Sequence, residues 1–167
     1  MEIRRAALAD VPAIAAIHLA AFESDAEARL FEMLRDDGDI RLSLVAQQQG
    51  KLVGSNILSV KHVIADGRDV AAWAVGPIAV LPELQRRGIG SALMREAIEI
   101  AGKRDVQMLF LLGSVDYYSR FGFSADTAKP FTSPYAGVHF QALLLDKALK
   151  IPKSGKADYA AAFGKLG

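Results

Sequence analysis

From Gly76 to Leu93 the chain reads Gly-Pro-Ile-Ala-Val-Leu-Pro-Glu-Leu-Gln-Arg-Arg-Gly-Ile-Gly-Ser-Ala-Leu: an apolar strand, a proline-bounded loop, and two glycines that open a helix. A helix start presents backbone N–H groups with no acceptor inside the helix, together with the positive end of the macrodipole, and so forms an anion site. Gly88 and Gly90 lack Cβ atoms, which lets a diphosphate approach the main chain, and Arg86 and Arg87 add positive charge beside it. Each charge-assisted hydrogen bond of this kind contributes about 1.5–3 kcal/mol. Two other phosphate loops are excluded. A Walker loop needs Lys-Ser/Thr after its last glycine, whereas Gly90 is followed by Ser91-Ala92, and the dinucleotide fingerprint needs a third glycine. Taken alone, the two glycines fit a plain turn equally well.

The elements around this segment follow from periodicity. Ile3 to Ala6 reads as a short strand, and Asp10 is placed to cap a helix with Pro12 in its first turn. Ile14, Ile17, His18 and Ala21 then share one face. A second helix carries Ala28, Phe31 and Leu34 on a stripe and closes near Asp36-Asp37-Gly38. Alternation from Leu42 to Gln47 gives a strand, Gln49-Gly50 a tight turn, and Leu52 to about Ile64 a second strand. Asp66-Gly67 predicts a type I′ hairpin into a third, apolar strand from Val70 to Val80. Gly88 to Lys103 is an amphipathic helix about 24 Å long, followed by a buried strand at Gln107–Leu112, a short helix at Val115–Arg120 and a strand from Val138 to Leu145. One short helix is expected around Tyr159–Phe163.

This order predicts an α/β (α+β) fold with a mixed, mostly antiparallel central sheet of about six to seven strands and helices on both faces. Residues 1–150 are expected to form a single domain, with 151–167 a C-terminal extension packed on it.

Composition narrows the function classes. The chain has 167 residues, half of them apolar, enough for a core without cross-links. It has no cysteine, which removes disulfides, thiolate metal sites and a cysteine nucleophile, and suits a reducing cytoplasm. Twenty basic residues against nineteen acidic ones leave a net charge of +1, without the basic excess of a nucleic-acid binder. The opening Met1–Ala6 lacks an apolar signal core, and no stretch approaches the roughly 18 apolar residues that span a bilayer. No nucleic-acid or membrane partner is expected, and the localisation expected is cytoplasmic.

Two signatures carry a family resemblance. Gln85-Arg86-Arg87-Gly88-Ile89-Gly90 resembles the Q/R-x-x-G-x-G/A loop of the GNAT superfamily of N-acetyltransferases, in the same place between a strand and a long helix. Tyr117-Tyr118-Ser119-Arg120-Phe121-Gly122-Phe123 resembles the tyrosine and Gly-Phe element near the end of that fold. Leu112 to Tyr118, Phe140 to Leu143 and Asp158 to Phe163 are similar to the bacterial branch of predicted N-acetyltransferases of the YhbS type, so the resemblance spans nearly the whole chain.

The resemblance implies a GNAT-like acyl-CoA N-acyltransferase fold and transfer of an acetyl group from acetyl-CoA to a primary amine of a small molecule or peptide, in a ternary complex and without metal. It implies that Gln85, Arg86, Arg87, Gly88, Ile89, Gly90 and Ser91 hold the CoA diphosphate and that Ile78, Ala79 and Val80 pair with the pantetheine arm. It also implies that Tyr118 lies near the thioester sulfur. Two departures are visible: Ala71 to Pro77 carries no carboxylate where many relatives have a glutamate base, and Leu111 stands where many have an asparagine. The base is therefore unassigned, and one pantetheine contact falls to the backbone or to Ser114.

The missing glutamate motivates an alternative, an inactive acyl-CoA-binding sensor or regulatory module. Either form is compatible with a monomer or homodimer. Other candidates have plain structural readings: His18 as a packed, hydrogen-bonded histidine, His62 and His139 in strands read the same way, Tyr117 as packing, and Glu23, Asp25 and Glu27 as a solvated turn. Trp73 belongs to the core or lines the acceptor cleft.

Overall fold

The computed structural model describes residues 1–165; Leu166 and Gly167, the end of the expected C-terminal extension, lie outside the described residues. The strands are β1 (Glu2–Arg5), β2 (Ile40–Gln48), β3 (Lys51–Ala65), β4 (Arg68–Val80), β5 (Met108–Leu112), β6 (Phe131–Thr132), β7 (Phe140–Leu144) and β8 (Gly155–Tyr159). The helices are α1 (Val11–Ala21), α2 (Ala26–Asp36), α3 (Ile89–Lys103), α4 (Val115–Tyr118), α5 (Ala125–Ala128) and α6 (Ala161–Gly164). Strand order is β1-β2-β3-β4-β5-β7, with β8 beside β3 and β6 beside β8. The pairs β1–β2, β2–β3, β3–β8 and β5–β7 are antiparallel, and β4–β5 and β6–β8 are parallel. The sheet is thus mixed and mostly antiparallel, as expected.

The chain divides into two compact units, through which β3, β4 and α3 both run. One comprises Met1–Ser59, Gly76–Glu99 and the segment from Ala161. Its helix α3 packs Leu93 and Ile89 where a side chain at Gly54 of β3 would stand, and Asn56 Nδ2 donates to Met94 Sδ at 3.7 Å. The other comprises Val60–Val75 and Ile100–Ala160. Its core is aromatic: Phe110 meets Phe131 edge-on at 5.3 Å and stacks on Phe140 at 5.6 Å, among Val63, Val70 and Met108.

Both expected tight turns are present, with left-handed φ at Gln49 and Gly50 (49° and 77°) and at Asp66 and Gly67 (48° and 79°). Three details correct the sequence reading. Asp10 stands at the start of α1 but makes no side-chain cap; its carboxylate takes the Ala7 N–H at 2.7 Å and the Arg4 guanidinium at 2.7 and 3.1 Å, which holds it down at about 2. The helix expected at Tyr159–Phe163 is α6 at Ala161–Gly164, because Gly155–Tyr159 is drawn into the sheet as β8, in register with Lys61–Ala65 of β3. With β6, this raises the strand number to eight.

Candidate functional site

The glycine loop lies in the first unit and is built from its own chain. Leu81 N–H donates to Val53 O at 2.9 Å, so β4 hands the chain to a single 3-10 turn at Pro82–Leu84. Gln85 Nε2 donates to Val80 O at 3.0 Å, which ties the loop back to the end of β4. Arg86 adopts φ 63° and Gly88 φ 85°, and this left-handed pair turns the chain into α3. No atom lies within 4 Å of where a Gly88 side chain would stand, and Arg86, Arg87 and Gly88 are exposed. The first bond of α3 runs from Ala92 N–H to Gly88 O at 3.0 Å, so helix geometry leaves the Ile89 and Gly90 amides without an acceptor inside the helix. Open space, amides at a helix head and two exposed guanidiniums together suit a diphosphate. Of the strand residues, Ala79 is buried, while Ile78 and Val80 are half-buried.

The tyrosine element lies in the second unit. Ser114 Oγ accepts the Tyr117 N–H at 3.3 Å and Ser114 O accepts the Tyr118 N–H at 3.0 Å, so Ser114 caps α4 with the hydroxyl that was a candidate for pantetheine. Tyr118 is half-buried, edge-on to Tyr117 at 4.9 Å and to Phe123 at 6.3 Å. Burial, with a smaller contribution from Tyr117, pushes its phenol up to about 12. Arg120 donates to Tyr117 O at 2.8 Å and covers the Tyr117 ring at 4.5 Å.

The model of the acetyltransferase (GNAT) domain matches residues 2–125, which takes in both signatures. The chain belongs to the GNAT acetyltransferase family. It is 34% identical over 115 residues to the uncharacterized N-acetyltransferase YhbS of Escherichia coli (strain K12), covering 68% of each chain. Among solved structures, that of E. coli YhbS in complex with CoA superposes with a TM-score of 0.88 at 30% identity, covering 99% of this chain and 93% of that one. A GNAT family acetyltransferase from Brucella melitensis in complex with acetyl-CoA gives 0.78 at 29% identity, over 97% of each chain. These relatives favour a working transferase over the inactive sensor.

Several groups were invisible to the sequence reading. Glu27 was grouped with the solvated turn, yet its Oε2 is buried without a hydrogen-bond partner among the described residues, while Glu23 and Asp25 are exposed. His18 is fully buried as expected, stacked on Phe22 and Phe31 at 6.1 Å each, but it lacks the expected hydrogen bond: neither ring nitrogen has a partner among the described residues, and burial takes its pKa down to about 4. His62 and His139 are not packed as expected: His62 is exposed on β3 and His139 is exposed in the turn before β7, while Trp73 is half-buried with the Arg104 guanidinium 5.8 Å from its ring. Lys61 is 3% exposed, with Nζ against the rings of Tyr159, Phe110 and Phe140. Gln141 and His139 both hold the carbonyl of Gly113. Among the described residues no group of three His, Cys, Asp or Glu side chains is placed to hold a metal ion, and no helix is long and apolar enough to cross a membrane.

Proposed function

We propose that this protein transfers an acetyl group from acetyl-CoA to a primary amine of a small molecule or peptide, in the cytoplasm, by direct attack in a ternary complex. The observation that carries the reading is the loop Gln85–Ser91 at the head of α3, exposed from Gln85 to Gly88, with open space at Gly88 and with Arg86 and Arg87 beside it. In this reading the amides of Gly88, Ile89, Gly90 and Ser91 and the two arginines hold the diphosphate. Gln85 shapes the loop, the main chain of Ile78–Val80 offers hydrogen bonds to the pantetheine arm, and one further pantetheine contact falls to the backbone or to Ser114. The pairing of β4 with β5 over Ala72–Ala74 and Met108–Phe110 stops short of Ile78, in keeping with that use.

When bound, acetyl-CoA supplies the activated carbonyl that the neutral amine attacks as the C–S bond breaks. Tyr118 hydrogen-bonds the sulfur as it gains charge. A phenol held near 12 does not surrender its proton to a thiolate of ordinary pKa near 8.5: that transfer is uphill by roughly 5 kcal/mol. Tyr118 is thus a hydrogen-bond donor that stays protonated through the reaction, and the ammonium proton leaves to solvent.

Calorimetric titration with acetyl-CoA, with dephospho-CoA and ATP as controls, tests the loop. Micromolar binding selective for CoA species is expected, and no binding would reduce the glycines to turn residues. For chemistry, thiol release from acetyl-CoA is followed with spermidine, tyramine and an alanine-initiated tripeptide. Tyr118→Phe is expected to lower kcat about a hundredfold while the KM for acetyl-CoA stays within twofold, because the hydrogen bond strengthens only as the thiolate forms. A variant as fast as wild type would leave Tyr118 with a packing role alone.

A further inference from the structure

We propose that Gln141 is a positioning residue for Tyr118, holding the main-chain corner on which the phenol ring rests. Gln141 lies on β7 directly opposite Leu111 of β5, so the two side chains share one face of the sheet. It is 0% exposed. Its Nε2 donates to Gly113 O at 3.0 Å, and its Oε1 is buried with no hydrogen-bond partner among the described residues. His139 Nδ1 lies 3.2 Å from the same carbonyl, and Gly113 N–H donates to His139 O at 3.1 Å. Gly113 is therefore held through both its N–H and its C=O, one in each of the two peptide groups that flank its Cα.

What the clamp supports is the tyrosine. A Cβ on Gly113 would stand 2.5 Å from Tyr118 Cε2 and 3.0 Å from Cδ2, so the ring lies directly on the bare Cα of this residue. The next residue, Ser114, accepts the Tyr118 N–H through its carbonyl and caps the turn through its hydroxyl. Ring and main chain of Tyr118 are both referenced to Gly113-Ser114, and Gln141 is the buried side chain that fixes that pair from β7. Packing alone does not call for a carboxamide here. The register neighbour Leu111 is apolar, and a buried carbonyl oxygen left unpartnered weakens the fold rather than strengthening it. A carboxamide kept here with its oxygen unpartnered is explained by the group it orients, since a misplacement of about 1 Å at a reacting centre slows turnover by up to about a hundredfold.

This inference rests on the role given to Tyr118 above, and the test separates the two. Thiol release from acetyl-CoA is measured with spermidine as the amine, or as hydrolysis in its absence, for Gln141→Met in the wild-type and Tyr118→Phe backgrounds. Gln141→Met is expected to lower kcat about tenfold with the KM for acetyl-CoA within twofold of wild type, and to change kcat less than twofold when Tyr118 is already phenylalanine. Gly113→Ala disturbs the same contact from the other side: its φ is not in the left-handed region, so the added methyl acts on the ring rather than on the backbone, and the same loss and non-additivity are expected. That variant also serves if Gln141→Met fails to fold. Wild-type kcat in either folded variant overturns the inference, as does an equal loss in both backgrounds. If Tyr118→Phe alone is as fast as wild type, the tyrosine assignment fails first, and that single variant shows it without reference to Gln141.

Discussion

Replacing Gly90 with glutamate is expected to weaken acetyl-CoA binding at least a hundredfold while leaving the protein folded. Gly90 is the second residue of α3, and an acidic side chain in a first helical turn favours the helix through its dipole, so the host fold is not the victim. The ligand is. The carboxylate would stand among the amides and arginines of the proposed diphosphate site, adding bulk and like charge at one point. Losing two or more charge-assisted hydrogen bonds at about 1.5–3 kcal/mol each exceeds the 2.8 kcal/mol that a hundredfold represents. Calorimetry with acetyl-CoA, beside a thermal melt of the same sample, checks both halves. Unchanged affinity in a folded Gly90→Glu protein would remove the loop from the binding site and the proposed transferase reading with it.

Lys61→Met is expected to raise the stability of the protein at pH 7 by up to about 5 kcal/mol, because folding strips Lys61 of a proton that the unfolded chain keeps, about 1.4 kcal/mol for each pH unit below its ordinary value. Lys61 Nζ is 2.8 Å from the centre of the Tyr159 ring and has no hydrogen-bond acceptor among the described residues. Burial is the dominant influence and takes its pKa down to about 6, while Asp158 pulls weakly the other way. The ring faces also favour the cation, by about 2 kcal/mol when desolvated, which offsets only part of the several kcal/mol lost with water.

The sign of the pH dependence follows. The unfolded chain holds a proton on Lys61 up to its ordinary value near 10.5, whereas the folded chain releases it above about 6. Between those limits the unfolded state binds more protons, so stability rises with pH, by up to about 1.4 kcal/mol per unit from this group, and the full cost stands below about pH 6. Urea unfolding at pH 7 and pH 9 should show a gain of roughly 2–3 kcal/mol in the wild type that Lys61→Met abolishes. A wild-type curve flat across that range would mean that Lys61 stays charged in the fold.

The strong local patterns were the readable ones. The amphipathic stripe of α3, the Asp66-Gly67 turn and the glycine loop each rest on contacts within a few residues, where spacing and residue type suffice. Strand β8 was illegible for the opposite reason. Its sequence, Gly-Lys-Ala-Asp-Tyr, has little strand preference, and it forms because β3 offers an edge and Asp66 Oδ1 accepts the Lys153 and Ser154 amides from 87 and 88 residues away. Gly155 is required there by Phe131, whose Cδ1 would lie 2.6 Å from any Cβ, a constraint with no local trace.

The sequence by itself determined the fold class and the family, and it pointed to the loop proposed to meet the diphosphate, because residue types and spacing at a helix head are local and carry the family signature. Tertiary structure decided which polar groups are already engaged and which are buried. Ser114 is committed to capping α4, Gln141 is locked on Gly113 beneath Tyr118, and Lys61 is enclosed by three rings. Those facts come from residues distant in the chain brought within hydrogen-bond range. Solvation and charge, unlike helical periodicity, are set by all the neighbours at once.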